Sequence, residues 1–482
     1  MEGVNTSISN PANNHDRAEL NPVVDTKVAH KSSSKFDNLD SAVVLEKRPS
    51  VAATAPSIDF GGKTTWIAWV FTVCISLHNA ACTIMWQTAS SAAITTADWM
   101  NANLTQVNWL SNTSAIANCI FSIVCVWSYE RFGIKACLIF SAVMNVLGCW
   151  IRCLSIVADP AHRYPVVLLG QIIASIGGPF VYNISAKFVA LWFAPADRGL
   201  GNMLTALSIG QIVIPVAGPL LARVPEETPR SFIIVAVIST VAAVPLLMMP
   251  KKPKEAPSAS ACASRTSVWD GMRTLVRNAQ FWTIAIITSF NAGMFFSISV
   301  TVVQAAAPYG YTESQTGLAG SLSAIAGYLG GAMTGYWAGR SFQHLMILKM
   351  FTPMLCTTYI MLIFEIVPNA YGVLVIAIML IGFFAMGLLP IQLEYACELM
   401  YPIPESLVSN LIWASISISM LIFTVISDTL RAGPDANPPG NMHNSLIASA
   451  VLMCVGSLPC LWLNGDMKRL KVDKSEQVSS EA

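Results

Sequence analysis

Apolar stretches of about twenty residues recur along the whole chain, separated by short polar breaks. Each is close to the length an α-helix needs to cross the hydrocarbon core of a bilayer. The first six fall at about 65–88, 107–128, 134–156, 165–193, 199–222 and 231–249. A second six follow at about 280–305, 315–338, 345–367, 370–400, 407–430 and 442–464. The pattern predicts an all-α polytopic membrane protein with twelve transmembrane helices in two six-helix bundles, 64–249 and 280–464. A polar segment, 1–63, is expected to be a disordered cytosolic tail, and 465–482 a cytosolic tail. The linker 250–279 separates the halves. Within it, TSVWDGMRTLVRN places Val268, Trp269, Met272, Leu275 and Val276 toward one helical side, as in an interfacial helix.

Composition agrees with this reading. Of 482 residues, 54% are hydrophobic and 11% charged, against about 25% charged in soluble domains. The net charge of +1 says little, so the placement of charges carries the information. Arg131, Lys135, Arg198, Arg340 and Lys349 lie in the loops on one side, together with the basic linker and tail. The loops 89–106, 306–314 and 368–369 contain no Lys or Arg. By the positive-inside rule both termini are cytosolic. The sequon Asn103-Leu104-Thr105 then lies outside, where glycosylation is permitted. The twelve cysteines show no disulfide or zinc spacing and read as small core residues. No cofactor, metal or nucleic-acid partner is expected, and the chain is expected to act as a monomer in the bilayer.

The two halves echo each other. WSYERFGIK (127–135) follows the second span, and GYWAGRSFQH (335–344) follows the eighth. LWFAPADRG (191–199) ends the fourth, and LMYPIPES (399–406) ends the tenth. Repeated halves are the sequence sign of a two-bundle transporter. WSYERFGIK is similar to the loop signature of the major facilitator superfamily. SLHNA (76–80), LGCWIRC (147–153), GGPFVYN (177–183), WFAPADR (192–198), FNAGMFFSIS (290–299) and GFFAMGLLPIQLEYACELMYPIPES (382–406) narrow the likeness. Together they resemble the feline leukaemia virus subgroup C receptor family, which includes the disrupted-in-renal-carcinoma-2 type.

The resemblance implies transport of a small organic solute: choline, ethanolamine, pyridoxine-type vitamins or haem. Its choline-binding branch encloses the ligand with aromatic and glutamine side chains. Where that branch has a tryptophan this chain has Thr83, with Trp86 a turn away. Gly178 and Ser417 stand at the glutamine positions, and Phe296 at a tyrosine position.

Polar residues at membrane depth are costly and therefore candidates. His78 and Asn79 lie in span one, Asn183 in span four, Asn291 in span seven and Gln392 in span ten, the four spans expected to line the cavity. Helix–helix hydrogen bonding is the alternative role for each. Trp86, Tyr182, Phe295 and Phe296 are candidate aromatic walls, and Thr83 joins them by family position. Glu394 and Glu398, four residues apart on one helical face, are placed to gate the cytosolic mouth. Lys187, Arg198 and Arg340 are their candidate partners, and Glu130 and Arg131 belong to the signature loop. A structural ion pair and proton coupling remain open alternatives for these charges.

Without a GxxxxGK[ST] loop, an HExxH pair or a GxSxG elbow, an ATP-driven pump and an enzyme are disfavoured. The leading reading is a secondary transporter working by alternating access. A haem transporter and a non-transporting receptor on the same fold are the alternatives. Plasma membrane and vacuolar or lysosomal membrane both fit.

Overall fold

The computed structural model describes residues 64–193, 197, 201, 204–205, 208–251, 253, 268–341 and 343–465. The expected tails, most of the linker, and Arg198 lie outside these residues. Among the described residues all regular structure is helical. Ten helices are long and apolar enough to cross a membrane. They include α1 (Trp66–Ser91), α3 (Leu104–Arg131) and α4 (Gly133–Leu154), with α2 (Ala93–Met100) lying between the first two. The fourth crossing is α5 (Pro160–Gly177), continued by α6 (Pro179–Tyr182) and α7 (Ser185–Trp192). Of the two other expected crossings, the fifth is described as α8 (Gly210–Leu221), with several residues of 198–207 before it lying outside the described residues, and the eighth is α12 (Glu313–Ser341), rich in Gly and Ser. Between them come α9 (Thr228–Leu247), the linker helix α10 (Val268–Val276) and α11 (Ala279–Ala306). The chain continues with α13 (His344–Glu365), α14 (Tyr371–Leu399), α15 (Glu405–Thr429), α16 (His443–Ser457) and α17 (Pro459–Trp462).

The exterior is largely apolar, and polar groups are buried among the apolar core residues. Val70, Val73 and Leu77 follow one face of α1 into the surroundings, while His78, Asn79 and Thr83 are buried. Without a hydrophobic force between helices in lipid, small residues and polar pairs must hold them together. This explains the low hydropathy of α12. Gly317 faces the Pro215 carbonyl of α8 and Gly382 of α14 faces Ser323, at separations that leave no room for a Cβ.

Two seams join the halves, α3 against α15 and α8 against α12. Asn118 Nδ2 donates to Ser417 Oγ at 2.7 Å across the first. Across the second, Tyr328 Oη donates to the Ser208 carbonyl at 2.8 Å, and Ser321 Oγ to that of Ile212 at 2.6 Å.

Two local features differ from the sequence expectation. The fourth crossing is interrupted at Gly178 and again near Asn183; Pro179, with no N–H to donate, sits at the first break. Residues 93–100, expected as loop, form α2. In the linker helix Leu275 is buried and Met272 packs on the core, while Trp269 and Val276 are exposed.

Candidate functional site

Outer and inner denote the two ends of the helices as the loop charges orient them. At the outer end the halves are hydrogen-bonded to each other. Asn108, at the start of α3, donates through Nδ2 to Gln304 Oε1 (3.3 Å) and Asp428 Oδ1 (3.0 Å). Gln304 Nε2 donates back to Asn108 Oδ1 at 2.7 Å. Arg431 completes the cluster, donating to Gln304 and, at 3.0 Å, to Asp428. A second tie lies nearby. The Glu313 carboxylate accepts from the Ile94 amide at 2.7 Å, the Thr95 amide at 3.4 Å and Thr95 Oγ1 at 2.7 Å. An acid of the second half thus caps the N-terminus of α2, where helix N–H groups lack intrahelical partners.

Below these ties an aromatic cluster crosses the middle. Trp86 of α1 meets Phe296 of α11 edge-on at 6.2 Å, and Phe296 lies 5.5 Å from Phe295 and 6.2 Å from Trp413. Trp86 Nε1 donates to the Ser111 carbonyl at 3.3 Å. Beside the cluster is a cavity of about 40 Å³ lined from both halves, by Gln87, Gln211, Phe295, Ser299, Thr316 and neighbours.

The structure sorts the residues singled out by sequence. Trp86, Phe295 and Phe296 come together, and Thr83 lies a turn from Trp86, its Oγ1 accepting from Ser208 at 2.7 Å. His78 faces its own half, with Nε2 3.0 Å from Ser141 Oγ, which donates to the Gly177 carbonyl at 2.7 Å. Asn291 faces the second half, its Oδ1 accepting from Ser457 at 3.4 Å. Asn183 and Gln392 are buried with both amide atoms unpartnered among the described residues, as is Asn79 Oδ1. Tyr182 is half-buried, beside Gly178.

At the inner end, Lys187 pairs with Glu130 of its own half. Glu394 lies 3.2 Å from His344 Nε2, close enough for a charge pair but not aligned as a hydrogen bond. Glu398 is half-buried one turn further on, Arg131 is exposed, and Arg340 is exposed and stacks on Tyr336 at 4.7 Å. Sequence reasoning did not single out Asn108, Gln304, Glu313, His344, Trp413, Asp428 or Gln87. The one local signal was the i, i+3 spacing of Asp428 and Arg431.

Two packed helical halves, tied across one end over a cavity lined from both, define the class of membrane carriers with two bundles. The chain belongs to the Major Facilitator Superfamily, whose family model matches residues 75–424. Solute carrier family 49 member A3 of Danio rerio is 24% identical over 385 residues, covering 77% of this chain and 80% of that protein. The choline/ethanolamine transporter FLVCR2 of Homo sapiens is 27% identical over 394 residues, covering 76% and 72%. These relatives place the chain with the feline leukaemia virus subgroup C receptor group of that superfamily. The crystal structure of FucP in the outward conformation shares the fold, with a TM-score of 0.56 at 13% identity, covering 83% of this chain and all of that one.

Proposed function

We propose that the protein moves a small organic solute of the vitamin or amine class through the seam between its two halves by alternating access. The carrying observation is the pairing of a hydrogen-bonded outer end with a cavity directly beneath it, lined from both halves. Closure at one end, released as the other closes, is the rocking that such folds use. The aromatic cluster of Trp86, Phe296 and Trp413 supplies faces that attract organic cations and stack on planar rings. The names of the relatives support an amine such as choline or ethanolamine. Asn79 Oδ1 and the amide atoms of Asn183 and Gln392 are buried without partners among the described residues, which supports a role for these spans in recognising a polar solute. Glu398 and Glu394 work at the inner mouth, with both termini cytosolic and the chain a monomer in the plasma or vacuolar membrane.

Uptake into proteoliposomes of radiolabelled choline, ethanolamine, pyridoxine and haem, side by side and with and without a pH gradient, tests this. One of the first three is expected to accumulate above empty liposomes. Trp86→Ala and Phe296→Ala are expected to lower that uptake at least tenfold, with protein insertion unchanged. Full uptake by both variants removes the aromatic cluster from the pathway.

A further inference from the structure

The linker helix α10 meets different surroundings on its two sides. One side rests on the second half. Leu275 is fully buried, and Gly271 sits against Leu407, Ile403 and Pro404 at the start of α15. A Cβ at Gly271 would come within 2.9 Å of a Leu407 methyl, so the helix lies close on that surface. At the other end of α10 the Val276 carbonyl accepts from Trp282 Nε1 at 2.8 Å. Trp282 stands in the first turn of α11. Both supports are inner ends of crossings, so α10 runs along the inner rim of the second half, from α15 to α11.

That rim lies where the headgroup layer of a bilayer begins. Trp282 marks the level: its ring is 40% exposed at the start of an apolar crossing. Tryptophan collects at this depth because it presents an apolar body and a polar N–H together.

The other side of α10 faces outward. Trp269, Arg273 and Val276 recur at i, i+4 and i+7 on one helical face, and all three are exposed. Arg277 follows them, exposed as well. Among the described residues neither arginine is ion-paired, and the neighbouring Asp270 pairs with neither. An indole ring and a branched aliphatic chain beside two unpaired guanidinium groups suit a partner that is apolar at one end and anionic at the other. The apolar pair meets the edge of the acyl layer. The guanidinium groups donate to phosphate or carboxylate oxygens of a headgroup.

We propose that the outward face of α10, formed by Trp269, Arg273, Val276 and Arg277, is a docking surface for an anionic phospholipid of the leaflet at the inner end. That this leaflet is the cytosolic one rests on the orientation proposed above; the affinity for anionic lipid rests neither on it nor on transport.

The test is native mass spectrometry of the delipidated full-length protein in detergent, titrated separately with phosphatidylserine and phosphatidylcholine of the same acyl chains. A saturable first binding event is expected for phosphatidylserine, weakening as salt rises. It should be about 25-fold tighter than for phosphatidylcholine, at about fivefold for each basic side chain. Arg273→Gln combined with Arg277→Gln is expected to bring the two lipids level. Trp269→Ala should weaken both by several-fold and leave their ratio unchanged. Lys135→Gln, at the inner end of the first half, should alter neither. Equal affinity of the wild type for the two lipids overturns the proposal, as does a preference that the double arginine variant keeps. A preference lost equally in Lys135→Gln would assign the attraction to the whole inner surface and overturn it too. A dimer that Trp269→Ala abolishes would give the face to a second copy of the chain instead. Absence of solute uptake in proteoliposomes would overturn the transport reading and leave this surface standing.

Discussion

The ion pairs and hydrogen bonds described at the outer and inner ends of the molecule join different things. At the outer end Asn108 of the first half bonds to Gln304 and Asp428 of the second, which Arg431 binds in turn, and Glu313 reaches across to the N-terminus of α2. At the inner end the described ion pairs stay within a half: Lys187 with Glu130, and His344 beside Glu394. Both inner pairs join the fourth crossing of a half, at α7 or α14, to the region between the second and third crossings of the same half. Bonds across the seam oppose separation of the halves. Bonds within a half make it move as one body. A rocking carrier needs both kinds.

Breaking the outer cluster is expected to have the largest effect. Asn108→Ala removes every bond by which this cluster crosses between the halves, and takes from Asp428, whose side chain is 11% exposed, its donor in the first half. Losing a hydrogen bond to a charged group in a partly buried place costs about 1–3 kcal/mol. The open population at the outer end should rise by roughly tenfold. Distances between spin labels on the outer loops of the two halves, measured by double electron–electron resonance, report this directly. An unchanged distribution would mean that the cluster does not hold the halves together.

Glu313→Ala comes next. It removes three acceptor contacts to half-buried Ile94 and Thr95 but leaves no orphan charge, because the partners it loses are neutral. A several-fold shift is expected in the same distances, and Glu313→Gln, which keeps an acceptor oxygen, should shift them less. Equal effects of the two substitutions would show that the charge alone matters.

Smallest should be the inner pairs. Glu130 is 47% exposed, and such pairs contribute about 0–1 kcal/mol. Glu130→Gln is expected to lower thermal stability in detergent by no more than this and to leave the outer distances within error. An outer opening as large as that of Asn108→Ala would erase the distinction between the two ends. Glu398→Gln sharpens the inner side: turnover should change more than the preference among solutes, as read from competition uptake.

Much of this architecture was legible in the sequence, for a physical reason. Every backbone N–H and C=O in a bilayer must be satisfied internally, so an apolar run of the right length has almost no choice but helix. That is why α11 runs Ala279–Ala306 where 280–305 was expected, and α14 runs Tyr371–Leu399 where 370–400 was. The rule weakens where packing replaces lipid. Residues Glu313–Ser341 trade hydropathy for Gly and Ser because the helix lies against α8 and α14. In the fourth crossing the buried setting lets the chain break at Gly178 and Asn183, which an apolar run does not announce.

The candidate site was only partly legible. Trp86 and Phe296 were identified, and they meet. His78 and Asn291 carried the same signal, a polar group in an apolar helix, yet each is bonded within its own half. Polarity at membrane depth shows that a group needs a partner, without showing whether the partner is another helix or a solute. Gln87 escaped notice because it sits in the polar run QTASS at the end of α1, where a glutamine looks unremarkable.

The sequence by itself determined the helices, their approximate ends, the two-fold repetition and hence the superfamily, because those depend on the local fit between each segment and the bilayer. Only the tertiary structure decided which polar groups face the seam, which end is tied across it, and that the seam encloses a cavity lined from both halves. Those properties depend on the rotation of each helix about its axis and on partners up to 320 residues apart, as in Asn108 with Asp428. Hydropathy, which records only how much a residue resists water, holds no information about either.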